Sequence, residues 1–496
     1  MRKLFLLALL FLVLTGSAAL AQESTPAAPP PSSLPSTPPS TSDVSQPGAP
    51  GIGDPLYPDF GNGGYDVQHY TLDLSVDPAG GSLVGDVTIN ANAAQTLSRF
   101  DLDFIGFQIQ SITVNNASAT YMRSGQELMI TPAAPIANGS AFTTEVKYSG
   151  VPVNQTSVAL PVQTGWVAYN DGANCPCSYV LSEPDGAADW FPANDHPLDK
   201  ATYTFRVTVP KPYNVAANGD LKQVIDNGTS TTTVTEIASP MASYLATVDI
   251  SQFDLVTSTG KSGIPIRNYF EKSVDPVTRS FFSQQDAMIS YFETLFGPYP
   301  FDVYGALMLG TAPGGALEAQ TLSIFGTDTV STNDPANSEL TIAHELAHQW
   351  FGDSVSLADW SDIWLNEGFA TYAEGLWIEH TQGKDALTDW IKGTYDYVVH
   401  NAPAIPTGKP PTNDLFNDNV YYRGALTLAA LRAKIGDDKF FALLKQWYGD
   451  HKGGNVTTAD FIKLANQVSG QDLTAFFNDW LYKIPVPPIP ELGLSN

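Results

Sequence analysis

Apolar side chains in this chain keep two different periods, and the change between them near residue 260 limits the folds open to it. Tyr70, Leu72, Leu74 and Val76 alternate with Thr71, Asp73 and Ser75, and Tyr203, Phe205, Val207 and Val209 repeat the pattern. Alternation of this kind buries one face of a strand and wets the other. Short alternating runs, parted by Gly, Asn and Asp-Pro turns, continue to about residue 260 with no convincing helix. Beyond "GIPIRNYFE" the spacing lengthens: Phe281, Met288, Ile289, Phe292, Leu295 and Phe296 share one helical face, stopped by Gly297-Pro298. Further helices are expected over Glu339 to Gly352, Trp364 to His380, Tyr421 to Ile435, Asp438 to Tyr448 and Leu473 to Tyr482. Strands followed by helices read as an α+β chain, with an all-β domain over 62–260 and a mainly helical domain over 261–496.

The amino terminus has a separate logic. Arg2 and Lys3 precede an apolar run that ends in Ala19-Leu20-Ala21, the small-x-small pattern of a cleaved secretory leader over 1–21. The run is too short to cross a membrane core about 30 Å thick. Residues 22–61 are rich in Pro, Ser, Thr and Ala and are expected to form an extended tether. The protein is therefore expected to be secreted, periplasmic or extracellular, with no membrane span. A net charge of -27 disfavours nucleic acid and anionic membranes as partners. The only two cysteines, Cys175 and Cys177, flank a single proline, so the chain is held by its core and not by a disulfide framework. Their redox state is left open, as is the oligomeric state.

One segment carries chemistry. In "TIAHELAHQW" His344 and His348 stand four apart, one above the other on a helical face, and can aim two imidazoles at one ion. Glu345 sits beside the first, where it can reach an attacking water without occupying the metal. A buried helix with satisfied histidines is the ordinary alternative, but with seven histidines in 496 residues a chance HExxH is rare. Zinc held by two histidines needs a third protein ligand and an open position, and His2Glu is one common solution. Glu367, near the start of "WLNEGFATYAEGLW" and separated from His348 by eighteen residues, can supply it if "FGDSVSLADWSDI" reverses the chain. Glu374, further along that helix, is either a partner of a ligand or a solvated surface carboxylate.

HELAHQWFGD followed by WLNEGFA resembles the gluzincin aminopeptidases, the group containing aminopeptidase N and leukotriene hydrolase. The resemblance covers about residues 62 to 487 and implies a thermolysin-like catalytic domain behind a β-rich N-terminal one. It implies one Zn2+ per chain on His344, His348 and Glu367, with Glu345 as the catalytic base. "GGALEAQTLSIF" stands where the family carries a Gly-x-Met-Glu-Asn motif on an edge strand; there Gly315 and Ala316 would pair with the peptide backbone and Glu318 would hold the free α-amine. Leu317 and Ala319 replace the family's Met and Asn. "LSEPDGAADWFPANDHPLDKATYTF" is similar to the family's Glu-Pro segment, which makes Glu183 the second amine-binding carboxylate, although Ala188 and His196 depart from it. "NVYYRGALTLAALR" resembles the helix that bears the oxyanion tyrosine, and the match selects Tyr421 over Tyr422.

The implied activity is a secreted zinc aminopeptidase acting on peptides with a free N-terminus. Two alternatives stand beside it: an endopeptidase or epoxide hydrolase of the same fold, and a peptide-binding protein without catalysis. Many members of the group continue into a helical C-terminal domain, whereas this sequence ends at residue 496, so a more open cleft is expected.

Overall fold

A computed structural model describes residues 44–153, 155–170 and 175–495. The expected leader and the tether up to residue 43 lie outside the described residues. Tyr70, Leu72, Leu74 and Val76 do point into the core from a thirteen-residue strand, Tyr65–Asp77. That strand lies within an eight-stranded sheet ordered Asp220–Asp226, Ser230–Met241, Ala201–Pro210, Tyr65–Asp77, Ser82–Ala93, Ala141–Gly150, Gln108–Val114 and Ala117–Ser118. Its one parallel pairing joins Ala201–Pro210 to Tyr65–Asp77, in register from Thr202 opposite His69 to Thr208 opposite Ser75. A five-stranded sheet and a second, four-stranded one complete the β-rich region.

The mainly helical part opens with a four-stranded sheet, Asp254–Thr259, Pro265–Phe270, Tyr304–Met308 and Ser323–Phe325. The first two strands form a hairpin, and the break expected at 260/261 falls in its turn. Helices follow: α1 (Pro276–Phe281), α2 (Gln285–Phe296), α3 (Pro335–Ala347), α4 (Trp364–Gln382), α5 (Lys384–His400), α6 (Gly424–Ile435), α7 (Asp437–His451), α8 (Thr458–Ser469) and α9 (Thr474–Tyr482). Three of these, α1, α5 and α8, were not expected. Twelve buried apolar residues form a seam between the two parts, among them Val167, Tyr179 and Leu181 of the five-stranded sheet, Leu307 and Ile324 of the last two strands, and Leu317 beside them. Burial of this seam fixes the two halves of the site against each other.

The tether expected over 22–61 is corrected from residue 44 onward. Gln46–Pro47 pairs parallel with Leu97–Arg99 at a sheet edge. Asp54 is 3% exposed; its Oδ1 accepts from Leu56 N and Tyr57 N, and its Oδ2 accepts from Trp360 N at 2.8 Å and meets His196 Nε2 at 3.0 Å. Tyr57 stacks on Phe60 and donates its hydroxyl to Thr412 O. A few anchoring side chains in a Pro- and Gly-rich stretch were enough to dock it, which composition averages away.

Candidate active site

Helix α3 starts cleanly because Asp334 caps it, accepting from Asn337 N, and Pro335 occupies the first turn, where no N–H is needed. It ends at His348. There the chain turns sharply: Asp353 N donates to His348 O, and Gly352 adopts φ 134°. A side chain at Gly352 would place its Cβ 3.1 Å from His348 Nδ1, so this glycine leaves room for the imidazole. Lys200, from the β-rich part, reaches the same turn and donates to Asp353 O at 2.8 Å and Ser354 O at 3.1 Å. The segment 353–363 then returns the chain so that α4 packs on α3, and Glu367 in the first turn of α4 faces both histidines.

The resulting geometry fits a metal. His344 Nε2 lies 3.2 Å and His348 Nε2 3.5 Å from Glu367 Oε2. Tetrahedral ligands bound to zinc at 2.0–2.1 Å are separated from one another by about 3.3 Å, so these three atoms stand where a small divalent ion would hold them. The remaining imidazole nitrogens are engaged elsewhere: His344 Nδ1 with Glu374 Oε1 at 2.8 Å, and His348 Nδ1 with Phe351 O at 3.0 Å. Both Nε2 atoms are thereby left facing Glu367, and Glu374 is a partner of His344, not a solvated carboxylate.

Around this triad the structure gathers the other expected residues. Ligand atoms of Glu318, Glu345 and His348 lie within 4.8 Å of one another, as do those of Glu183, Glu318 and Glu367. Glu183 Oε1 has no protein partner. Glu318 lies beside a single antiparallel bridge, Leu317 to Ile324, so the segment is not the edge strand expected but an extended stretch held by two hydrogen bonds at the sheet's margin. Gly315 and Ala316 are half-buried just ahead of it, and a Cβ on Gly315 would meet nothing within 4 Å, which leaves their backbone approachable. The Tyr421 ring stands over His344, centroids 6.0 Å apart, whereas Tyr422 packs against Tyr397. Tyr421 belongs to a π-type turn, Asn419–Arg423, that leads into α6.

Three buried glutamates, Glu318, Glu345 and Glu367, and the half-buried Glu183 shape each other's charge. Burial and the neighbouring Glu318 and Glu367 push Glu345 up to about 8, against the pull of the two histidines. Burial, then Glu318 and Glu367, raise Glu183 well above the carboxylate range. Glu367 goes the other way: burial opposes its ionisation, but His348 and His344 outweigh it and hold the carboxyl at about 2. Carboxylates crowded in this way are stabilised by cations.

The sequence reading missed Tyr244, whose hydroxyl donates to Glu318 Oε1 at 3.2 Å from a turn of the β-rich part. Nothing in "MASYLATV" marks it, since one buried aromatic among many carries no signal before the halves are brought together.

Known proteins resemble this chain in both of its parts. The sequence pattern described as the Peptidase M1 N-terminal domain matches residues 66–245, and that of the Peptidase family M1 domain matches residues 281–480. Glutamyl aminopeptidase of Sus scrofa is 27% identical over 325 residues, 62% of this chain and 34% of its own length. Aminopeptidase 2 of Candida albicans is 23% identical over 450 residues, 86% of this chain and 48% of its own. The chain thus spans between a third and a half of the length of these curated relatives. A solved M1 zinc metallopeptidase from Deinococcus radiodurans, bound to a Tyr-Ser-Ala substrate, superposes with a TM-score of 0.80 at 32% identity, covering 89% of this chain and 99% of that one. A solved two-domain M1 zinc metallopeptidase bound to L-tryptophan gives 0.80 at 31% identity with the same coverage. With both domains matched and almost all of a solved member covered at this identity, the chain belongs to peptidase family M1, whose members hold zinc.

Proposed function

We propose that the protein is an exported, zinc-dependent aminopeptidase that removes single residues from the free amino end of peptides, with one ion per chain. The observation that carries this reading is the pair Glu183 and Glu318, whose carboxylates lie within 4.8 Å of each other and of Glu367. A carboxylate pair this close to the metal ligands measures substrate from its ammonium group, one residue's length from the bond to be broken. The Tyr-Ser-Ala complex of the Deinococcus relative supports peptides as the substrate class.

Zinc, when bound to His344, His348 and Glu367, supplies Lewis-acid polarisation of the carbonyl and makes a water acidic at neutral pH. The protein's own groups do the rest. Glu183 and Glu318 accept hydrogen bonds from the substrate ammonium and hold the first peptide bond over the triad. Glu345 takes the proton from the attacking water at its carboxylate and delivers it to the departing nitrogen. Tyr421 donates its hydroxyl hydrogen to the carbonyl oxygen as negative charge gathers there. Leu317 beside Glu318 buries apolar surface and adds no competing polar group.

The test compares free-amine peptides with their N-acetylated counterparts, each with and without a chelator. Chelator-sensitive cleavage confined to the free-amine set is expected; equal cleavage of both sets overturns the reading. Metal analysis of the purified chain checks the single ion, and the mature amino terminus of the exported protein, expected at Gln22, checks the leader.

A further inference from the structure

We infer that Tyr244 is a positioning residue for the amine site: its hydroxyl fixes the Glu318 carboxylate in the orientation that receives the substrate ammonium. The inference rests on the free-amine reading above.

Glu318 has reason to move. Its segment joins the sheet through one bridge only, and the bond from Gln349 Nε2 to its backbone carbonyl, at 3.0 Å, leaves the side chain unrestrained. Ligand atoms of Glu183, Glu345 and Glu367 lie within 4.8 Å of its own, and all three carboxylates repel it while ionised. A lysine or arginine partner would hold the carboxylate, but would also neutralise the charge that the ammonium seeks. A phenol holds it by a neutral hydrogen bond and leaves the charge intact. Tyr244 offers that bond at 3.2 Å to Oε1.

The phenol is itself immobile. It is 1% exposed, in the turn Ser243–Leu245. On one side Ser243 Oγ donates to Asp195 Oδ1 at 2.6 Å, and on the other Leu245 O accepts from Asn218 Nδ2 at 2.9 Å. Its ring edge meets Trp360, centroids 5.4 Å apart at 61°, and the Trp360 amide is held by Asp54. Burial, with Glu318 and Glu183 close by, raises the hydroxyl well above the usual tyrosine range, so it remains a donor at every working pH. A line of contacts therefore runs from the docked amino-terminal segment through Trp360 and Tyr244 to the carboxylate that reads the substrate's amine.

The experiment is Tyr244→Phe in the zinc-loaded full chain, which keeps the ring on Trp360 and removes only the hydroxyl. Aminoacyl anilides should show KM raised so that kcat/KM falls about tenfold to a hundredfold, the range for a hydrogen bond to a charged acceptor, with kcat within about threefold of the parent. The inhibition constant of a free amino acid should rise in parallel, while that of its N-acetyl derivative stays the same. Repeating the substitution in a Glu318→Ala background should change KM by less than about twofold, because the partner is gone. An unchanged KM in Tyr244→Phe, or an equal effect in both backgrounds, overturns the role of Tyr244. Equal cleavage of acetylated and free peptides by the unmodified protein overturns the amine site itself, a result that needs no variant and is read separately.

Discussion

Gly424→Ala tests how the metal site and the oxyanion tyrosine are kept in register. Helices α4 and α6 cross at Gly368 and Gly424, where a Cβ on Gly424 would stand 2.8 Å from Gly368 Cα. Favourable carbon contact begins at about 3.5 Å, so α6 must retreat by about 0.7 Å. Its far side is not free to yield. Arg423 is buried and donates to five backbone carbonyls, those of Asp479, Trp480, Lys483, Ile484 and Pro485. Overpacking against such a frame costs about 1–3 kcal/mol, whereas alanine's helix propensity returns about 1 kcal/mol, so the net effect is destabilising. Tyr421 sits one turn before Gly424 and moves with it, while Glu367, next to Gly368, stays with α4. A displacement approaching 1 Å at a catalytic group costs about a hundredfold in rate. The variant is expected to bind zinc, to lose a few degrees of Tm, and to lose about tenfold to a hundredfold in kcat with KM less affected. A variant with raised Tm and unchanged kcat would show that the glycine contact does not set the position of Tyr421.

Three other outcomes follow from the site and its surroundings. Glu374→Gln should weaken zinc binding by about tenfold to a hundredfold in competition with a chelator, because the amide holds His344 Nδ1 less strongly than the carboxylate does; parental affinity would contradict that role. Glu345→Gln should retain metal and substrate binding but lower kcat by at least about a hundredfold, and full turnover would remove Glu345 from the proton path. Burial pushes Asp195 and Asp199 up to about 7, against hydrogen bonds that favour their ionised forms. An unfolded aspartate titrates near about 3.9, so between these values the folded chain keeps protons that the unfolded chain has released. Stability from these two groups therefore falls as pH rises from about 4 to about 7, and Asp195→Asn should reduce the Tm difference between about pH 5 and about pH 8. An unaltered difference would contradict it.

Legibility from sequence followed the physics of each element. Long alternating strands such as Tyr65–Asp77 are readable because one face is buried and the other wet along their whole length. The cluster of His344, His348 and Glu367 was readable because helical geometry puts the two histidines on one face and the NEGFA segment, by its resemblance, points to Glu367 as their companion. Helix α5 carried Leu387, Ile391, Tyr395 and Val398 at helical spacing, and α8 a capping box of Thr457 and Asp460, so both signals were present though unread. Tyr304–Met308 was different: all five residues are buried, so no period distinguishes it from a piece of buried helix. Tyr244 and Asp54 act across the join of the two halves, and a contact 74 or 306 residues away in sequence leaves no local trace.

The docking of Asp54 makes the molecule less modular than its composition suggests. A chain shortened to begin at residue 62, where the proline-rich stretch was expected to end, would strip the buried Trp360 amide and His196 of their partner. Each buried polar group left unsatisfied costs about 1–3 kcal/mol. The damage would surface far from the cut, at the Trp360 ring that steadies Tyr244, so a truncation intended to tidy the amino terminus would read out as poorer substrate capture.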